Sequence, residues 1–220
     1  MKATIFDFNG TLFFDSDINR IAWEQTINEL SDNSIDFEEV YKEYKSVRNY
    51  IFVKAMFERL NKPLNEEDIM YWVKRKETRY YHTYCRQHNR NKLAPGASEL
   101  LDYLKENNYP INLCTASIKE NVDFYFDYLG LKNWFEINKI AYDDGCFMDK
   151  VDMYRAAAER INTDIADCLV FEDSPVSINQ AIKAGCHNIV MIGKDKDFDC
   201  KEIIQKINDF TEFDRDLLYR

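Results

Sequence analysis

The sequence predicts an α/β fold with a parallel sheet, into which a helical segment is inserted after the first strand. The apolar runs that predict strands are short and nearly continuous, at residues 3–8, 110–115, 168–172 and 188–192. Such runs are typical of parallel strands, because helices cover both faces of the sheet. Helical patterns separate these runs, at residues 96–107, 150–161 and 174–184. Alternating strands and helices indicate one parallel sheet.

Local signals support the starts of two of these helices. The first follows Pro95 and Gly96, and the last follows Ser174 and Pro175. Ser174 is a predicted N-cap, because its hydroxyl can accept from a backbone amide of the first turn. Proline suits the first helical position, where no amide hydrogen is needed.

Residues 15–90 differ from the rest of the chain. They contain long helical stretches rich in Tyr, Phe, Glu and Lys, with turn signals at residues 31–34 and 61–63 and no convincing strand pattern. We therefore expect a core domain from residues 1–14 and 91–220, and an inserted helical domain from residues 15–90. The acidic, aromatic tail from Lys201 to Arg220 is expected to form a closing helix.

Composition excludes several classes of function. A net charge of −10 argues against a nucleic-acid surface, which needs clustered Lys and Arg. No apolar run approaches the roughly 20 residues that cross a bilayer, and the N-terminal segment lacks the apolar core of a signal peptide. The six cysteines occur singly without a CxxC pair, so we expect no disulfide scaffold or zinc site and a reducing, cytoplasmic location.

Chemically active side chains follow the predicted strands. In an open α/β sheet, ligands bind beyond the carboxyl ends of the strands. The residues at those ends are Asp7, Asn9, Gly10, Thr11, Thr115, Ala116, Ser117, Glu172 and Asp173. Lys150 joins them, because it opens the helix that precedes the third predicted strand. Each has an ordinary alternative role as a strand-end cap, loop residue or surface lysine. Their joint placement is what favours a site.

Together these residues suit phosphoryl transfer. The Asp7 carboxylate can attack phosphorus and form an aspartyl-phosphate. Glu172 and Asp173 can help Asp7 to hold a hard cation such as Mg²⁺. Lys150 and the Thr115 hydroxyl can bind phosphate oxygens, and Gly10 lets the backbone approach the phosphate closely.

These motifs resemble those of the haloacid dehalogenase (HAD) superfamily. The segment from Phe6 to Leu12, Phe-Asp-Phe-Asn-Gly-Thr-Leu, resembles its first motif, Asp-x-Asp-Gly-Thr-Leu. Thr115 matches the second motif and Lys150 the third. Glu172-Asp173-Ser174 with residues 181–185 matches the fourth. The helical insert resembles the cap of the β-phosphoglucomutase and phosphoglycolate-phosphatase branch.

The resemblance implies a Rossmann-like core with an α-helical cap and a defined set of site residues. It implies that Asp7 is the nucleophile and that Mg²⁺ is held by Asp7, Glu172, Asp173 and the backbone carbonyl of Asn9. The implied phosphate contacts are Thr115, Ala116, Ser117 and Lys150. In the cap, Arg48 and Lys76 fall where mutase-like relatives carry substrate-facing basic residues, although either can equally be a solvated helix charge.

The sequence departs from the family pattern in three places. Asn9 replaces the aspartate that serves as general acid and base, so we expect slow turnover on alkyl phosphates and a smaller loss on acyl or aryl phosphates. General acid–base catalysis contributes about 10²–10⁴-fold. Asn19 replaces the histidine of sugar-phosphate mutases. Asp149 and Val151 flank Lys150 where relatives have Gly and Pro, so the preceding loop is expected to follow a different path.

The leading hypothesis is a Mg²⁺-dependent phosphatase that acts on a small phosphorylated metabolite. The alternatives are a phosphate-binding pseudoenzyme, favoured by Asn9, and a mutase-like protein, disfavoured by Asn19. A phosphonatase that uses Lys76 or Lys74 is possible by chemistry but not demanded by spacing, and Asn9 does not support a dehalogenase. Asn9-Gly10 is also a dipeptide prone to deamidation. The substrate and the oligomeric state stay open.

Overall fold

A computed structural model describes residues 1–44, 47–193 and 197–219 of the chain. The chain divides into two compact units, one of residues 1–14 with 92–220 and the other of residues 15–91. Within the described ranges, no helix is long and apolar enough to cross a bilayer.

The first unit contains a six-stranded parallel sheet in the order β3-β2-β1-β4-β5-β6. The strands are β1 Ala3–Phe6, β2 Ile111–Ile118, β3 Ala141–Asp143, β4 Cys168–Glu172, β5 Asn188–Ile192 and β6 Ile203–Ile207. The strand order places β1 between β2 and β4, so the segments that follow these three strands emerge side by side.

The α-helices fall into two groups along the chain. Those of the helical unit are α1 Ser16–Ser31, α2 Phe37–Tyr44, α3 Asn49–Arg59, α4 Glu66–Arg75 and α5 His82–Gln87. Those of the sheet unit are α6 Ala97–Glu106, α7 Lys119–Tyr128, α8 Lys150–Glu159 and α9 Pro175–Ala184. A π-helix, Lys76–Tyr81, joins α4 to α5. The 3₁₀ turns are Leu131–Asn133, Ile165–Asp167, Phe210–Glu212 and Arg215–Tyr219.

The two faces of the sheet bury different side chains. The register pairs Ile5 with Val170 and Phe6 with Phe171. Ile5 and Val170 belong to an aliphatic cluster that includes residues of α8 and α9. Phe6 and Phe171 stack with their ring centroids 4.9 Å apart, and both contact the ring of Phe210. Because both faces are covered, the strands read as continuous apolar runs in the sequence.

The predicted α/β class is confirmed, but two strands were not predicted. β3 spans Ala141–Asp143 and is too short to give a clear pattern. The prediction of a closing helix over 201–220 is wrong, because Ile203–Ile207 pairs with β5 and 3₁₀ turns follow. Ile203, Ile204 and Ile207 fit a helical spacing, and short apolar runs of this kind do not distinguish a helix from a strand. Arg220, the last residue of that prediction, lies outside the described residues.

The start of α6 depends on a glycine. Gly96 has φ +76°, and a Cβ there would lie 2.6 Å from the Thr211 amide nitrogen and 2.8 Å from the Phe210 carbonyl carbon. Gly145 has a similar φ of +81°, but a Cβ there would meet nothing within 4 Å. The two glycines therefore share a backbone conformation and differ in their surroundings.

We expect Gly96→Ala to destabilise the protein more than Gly145→Ala. Both substitutions incur the left-handed backbone cost of about 1–2 kcal/mol. Only Gly96→Ala adds a clash with backbone atoms, which we expect to cost a further ~1–3 kcal/mol. The free energy of unfolding, measured by urea denaturation, checks the difference. Equal losses for the two variants would contradict this account.

Candidate active site

The candidate site lies at the carboxyl edge of the sheet. Asp7 directly follows β1, Thr115 and Ser117 lie in the last half of β2, and Glu172 ends β4. All four side chains are buried. The strand order brings these positions to adjacent places on one edge of the sheet. The sequence analysis placed them at the carboxyl ends of strands but did not predict the strand order.

Lys150 points into this edge from the first position of α8. The Asp149 side chain caps α8 by accepting from the backbone amides of Val151 at 2.9 Å and Asp152 at 3.3 Å. The capping geometry gives a physical role to Asp149, the residue that departs from the family pattern. The Lys150 ammonium donates to Asp7 Oδ1 at 2.6 Å and to Glu172 Oε1. Only 7% of Lys150 is exposed.

Glu172 is fully buried, and both of its carboxylate oxygens are hydrogen-bonded. Its Oε1 accepts from Lys150 and from the Tyr154 hydroxyl at 2.6 Å. Its Oε2 accepts from the backbone amides of Asp173 at 2.9 Å and Ser174 at 3.2 Å. Sequence reasoning missed Tyr154, although it lies one helical turn after Lys150 and therefore on the same face of α8.

Three carboxylates converge beside Lys150. One ligand oxygen from each of Asp7, Glu172 and Asp173 lies within 4.8 Å of the others. Burial and the Glu172 charge raise the pKa of Asp7 to about 7, against the lowering effect of Lys150. Burial, with the charges of Glu172 and Asp7, raises the pKa of Asp173 to about 9.

Burial and mutual attraction act in opposite directions on the pKa values of Glu172 and Lys150. Burial opposes ionisation of Glu172, but the charge and hydrogen bond of Lys150, together with hydrogen bonds from Tyr154 and the Ser174 amide, lower the pKa of this carboxyl. Burial likewise disfavours the Lys150 ammonium, but Asp7 and Glu172 raise its pKa. The carboxylates outnumber this cation, and oxygen donors at such separations suit a hard divalent cation.

Gly10 is required by its contact with Asp173. Its φ is +81°, and a Cβ on Gly10 would lie 2.2 Å from Asp173 Oδ2 and 2.7 Å from its Cγ. The Asp173 carboxylate therefore packs directly on the Gly10 backbone. This contact adds a second reason for glycine to the close phosphate approach that the sequence suggested.

The Asn9 carboxamide is held by two hydroxyl groups. Ser117 Oγ donates to Asn9 Oδ1 at 2.8 Å, and Asn9 Nδ2 donates to the Tyr125 hydroxyl at 3.1 Å. Tyr125 lies on α7, and its ring stacks on Phe8 with centroids 4.0 Å apart. Sequence reasoning missed Tyr125, because α7 was not predicted and no motif includes it.

The last half of β2 is irregular, because its pairing with β3 shifts register between Thr115 and Ile118. Thr115 Oγ1 accepts from the Ser117 amide at 3.2 Å, and Ala116 between them is exposed. Thr115 itself is buried. A hydroxyl and consecutive backbone amides at a strand end are the groups that bind phosphate oxygens.

The helical unit places its predicted basic residues in different surroundings. Arg48 precedes α3 and is exposed. Lys76 opens the π-helix and is only 2% exposed, so the alternative of a solvated helix charge is wrong for it. Its ammonium donates to Glu77 at 2.9 Å and to Asn19. Lys74, on α4, is exposed.

The Lys76 ammonium also lies over two aromatic rings. The distances to the ring centroids are 5.2 Å for Trp23 and 5.4 Å for Tyr81. Buried lysines need such partners, because desolvation of an isolated ammonium is costly. All four of these partners of Lys76 belong to the helical unit.

The protein belongs to a known family. The model of the haloacid dehalogenase-like hydrolases matches residues 1–185, which include every motif residue described above. The resemblance that the motifs indicated is therefore confirmed at the level of the family.

Individual relatives are distant in sequence and close in fold. The putative phosphatase YhcW of Bacillus subtilis is 24% identical over 194 residues, with 88% of this chain and 84% of that protein covered. A HAD hydrolase of family IA, variant 3, from Entamoeba histolytica has 28% identity and a TM-score of 0.86 over 100% of both chains. β-Phosphoglucomutase from Clostridium difficile has 20% identity and a TM-score of 0.77, covering 100% of this chain and 96% of that one.

Removal of the Lys150 charge should strongly destabilise the protein. In Lys150→Met, the Glu172 carboxylate stays buried without its cation, a change that typically costs about 3–5 kcal/mol. The double variant Lys150→Met/Glu172→Gln should recover a large part of this loss. Urea denaturation in metal-free buffer measures both effects as a double-mutant cycle.

Lys132→Met is the matched control for this experiment. The Lys132 side chain is 63% exposed and pairs with exposed Asp127 at 3.5 Å. Exposed pairs contribute about 0–1 kcal/mol. If Lys150→Met cost no more than Lys132→Met, Lys150 would not be the partner on which the buried carboxylates depend.

Proposed function

We propose that the protein is a Mg²⁺-dependent phosphatase that hydrolyses a small phosphomonoester through an aspartyl-phosphate at Asp7. The observation that carries the proposal is the buried set of Lys150, Asp7, Glu172 and Asp173 at the sheet edge. Membership of the hydrolase family supports it. In this reaction an Asp7 oxygen attacks phosphorus and forms a new P–O bond, while the P–O bond to the substrate's leaving group breaks and that group departs through its oxygen. Water then attacks the phosphorus of the aspartyl-phosphate, which releases phosphate and restores the Asp7 carboxylate.

The donor set fits a magnesium ion. Asp7, Asp173 and the Asn9 backbone carbonyl would hold it, and Glu172 would support them. Both Glu172 oxygens already accept hydrogen bonds, so this side chain is better suited to fixing Lys150 and the Asp173 backbone than to direct ligation. When bound, the ion supplies positive charge that offsets repulsion between the carboxylate nucleophile and the phosphate.

The protein's own groups position the phosphate. The Thr115 hydroxyl, the Ala116 and Ser117 segment and the Lys150 ammonium are the proposed contacts with its oxygens. Lys150 already donates to Asp7 Oδ1 at 2.6 Å, so it fixes the rotamer of the nucleophile. A preorganised charge of this kind stabilises the transition state without reorganisation.

Asn9 limits the substrates that this site can process quickly. Its carboxamide can donate a hydrogen bond to a leaving group but cannot transfer a proton to it. The missing general acid is worth about 10²–10⁴-fold. We therefore propose acyl or aryl phosphates, whose leaving groups need little protonation, as the better substrates.

The helical unit is proposed to contribute substrate selection. Arg48 is exposed and is the predicted basic residue that is better suited to contact a substrate. Lys76 is paired with Glu77 and enclosed by aromatic rings, so we propose a structural role for it.

A phosphate-binding pseudoenzyme is the second candidate. The observation that favours it is the fixed Asn9 carboxamide, which Ser117 and Tyr125 hold in place. Such a protein would bind phosphate and the cation without turnover. Direct assay of the purified protein separates the two functions.

We expect the wild-type protein to hydrolyse acetyl phosphate and p-nitrophenyl phosphate in the presence of Mg²⁺. Asp7→Asn should abolish the activity, because an amide is not a nucleophile toward phosphorus. Asn9→Asp should raise kcat on p-nitrophenyl phosphate, by up to about 10²-fold, because it restores an acid and base. Released phosphate is the measurement, after mass spectrometry has shown that Asn9 is intact. Wild-type activity that persists in Asp7→Asn would exclude the proposed nucleophile.

Gly10→Ala should weaken Mg²⁺ binding. The new methyl group would occupy the position of the Asp173 carboxylate, so this ligand has to move. Loss of a group that orients or ligates a metal typically costs about 10–100-fold in affinity. We therefore expect an increase of about 10-fold or more in the Mg²⁺ concentration for half-maximal activity. Gly145→Ala, with a similar φ and open space, is the control. If the Mg²⁺ concentration for half-maximal activity rose equally in both variants, the cause would be backbone strain and not displacement of Asp173.

A further inference from the structure

Asn9, Ser117 and Tyr125 form a closed triangle of hydrogen-bonding groups. Ser117 Oγ lies 2.8 Å from Asn9 Oδ1, and Asn9 Nδ2 lies 3.1 Å from the Tyr125 hydroxyl. The third side joins the two hydroxyls at 3.3 Å. Tyr125 is fully buried and Ser117 is 9% exposed, so solvent has little access to two of the three groups.

The triangle suits an amide at position 9. When Ser117 donates to Asn9 Oδ1 and Asn9 Nδ2 donates to Tyr125, the Tyr125 hydroxyl is able to donate to Ser117. Each group then donates once and accepts once around the ring. The ring also closes with the amide reversed, because each hydroxyl can act in either sense. An ionised carboxylate cannot donate and would open the ring.

The residue after Asn9 makes this amide chemically vulnerable. In deamidation, the Gly10 backbone nitrogen attacks Asn9 Cγ and forms a new C–N bond. The Cγ–Nδ2 bond breaks, and Nδ2 leaves as ammonia with the proton lost by the Gly10 nitrogen. Water then opens the cyclic imide to aspartate or isoaspartate. Glycine favours the attack, because it has no side chain to obstruct it and its backbone is permissive.

The fold restrains both reacting groups. The Gly10 amide donates to the Phe13 carbonyl at 2.8 Å, which occupies the nitrogen that has to attack. Contact of the Gly10 backbone with Asp173 restricts its movement. The Asn9 carboxamide cannot rotate toward Gly10 without breaking its bonds to Ser117 and Tyr125.

We propose that Ser117 and Tyr125 are positioning residues that lock the Asn9 carboxamide in this ring and thereby suppress deamidation at Asn9-Gly10. The site is then a latent modification site, and opening of the ring exposes Asn9 to conversion into an aspartate. The effect of that conversion on turnover rests on the proposed phosphatase function. The protection itself does not, because it concerns only the chemistry of the Asn9-Gly10 bond.

The rate of deamidation tests the proposal. Folded wild-type protein, Ser117→Ala and Tyr125→Phe are incubated in mildly alkaline buffer, and aspartate plus isoaspartate at position 9 is measured by peptide mass spectrometry. Each variant loses hydrogen bonds of the ring, so we expect a roughly tenfold faster reaction at Asn9, which corresponds to about 1.4 kcal/mol. The exposed Asn162 in the same unit is the internal reference and should be unaffected.

Two further variants separate positioning from general loosening. Ser117→Thr keeps a hydroxyl and should stay close to the wild-type rate at Asn9. Tyr103→Phe removes an exposed tyrosine hydroxyl that bonds Tyr219 and should change nothing at Asn9. Unchanged rates at Asn9 in both Ser117→Ala and Tyr125→Phe would overturn the proposal, as would equal acceleration at Asn162.

A measurement on the wild-type protein covers the case in which the variants do not fold. Hydrogen exchange of the Asn9 side-chain amide, followed by NMR, should be much slower than that of Asn162. Exchange at the same rate would overturn the proposal. Neither the deamidation rate nor the hydrogen exchange requires enzymatic activity. Absence of phosphatase activity would therefore not contradict the protection of Asn9, and rapid deamidation or exchange would not contradict the proposed phosphatase function.

Discussion

The buried Lys150 ammonium is the interaction on which the candidate site depends. It joins the start of α8 to the ends of β1 and β4 through Asp7 and Glu172. Desolvation of these groups is costly, and mutual attraction offsets it only where geometry is good and the remaining lone pairs are satisfied. Tyr154 and the amides of Asp173 and Ser174 meet that condition at Glu172.

The charge balance at the sheet edge explains the proposed cofactor. Lys150 faces Asp7 and Glu172, and Asp173 adds a further carboxyl beside them. Burial, together with repulsion between the carboxylates, raises the pKa of Asp7 to about 7 and that of Asp173 to about 9, so ionisation of the full set requires more positive charge. The proposed divalent cation would provide it, and the same charge would attract phosphate to a chain whose net charge is −10. The constraint on Asn9 is separate, because Ser117 and Tyr125 set its orientation.

The sequence predicts the sheet and the motif residues because both depend on local patterns. Apolar runs predict the four central strands, and the edge rule for parallel sheets then brings Asp7, Lys150 and Glu172 together. The partners Tyr154 and Tyr125 were not predictable in the same way, since their roles depend on how α8 and α7 pack. The burial of Lys76 depends on the π-helix, which no propensity indicates. β6 was predicted to be part of a helix because its short run of isoleucines does not distinguish a helix from a strand, and pairing with β5 then makes it a strand.

The most direct test of the account is to identify the residue that becomes phosphorylated. Wild-type protein is mixed with acetyl phosphate and Mg²⁺, quenched in acid and digested, and the peptides are analysed by mass spectrometry. The account predicts a phosphate group on Asp7, absent without Mg²⁺ and absent in Asp7→Asn. Turnover of acetyl phosphate with the label on another residue, or with no label on Asp7 at any quench time, would contradict the central claim that Asp7 is the nucleophile.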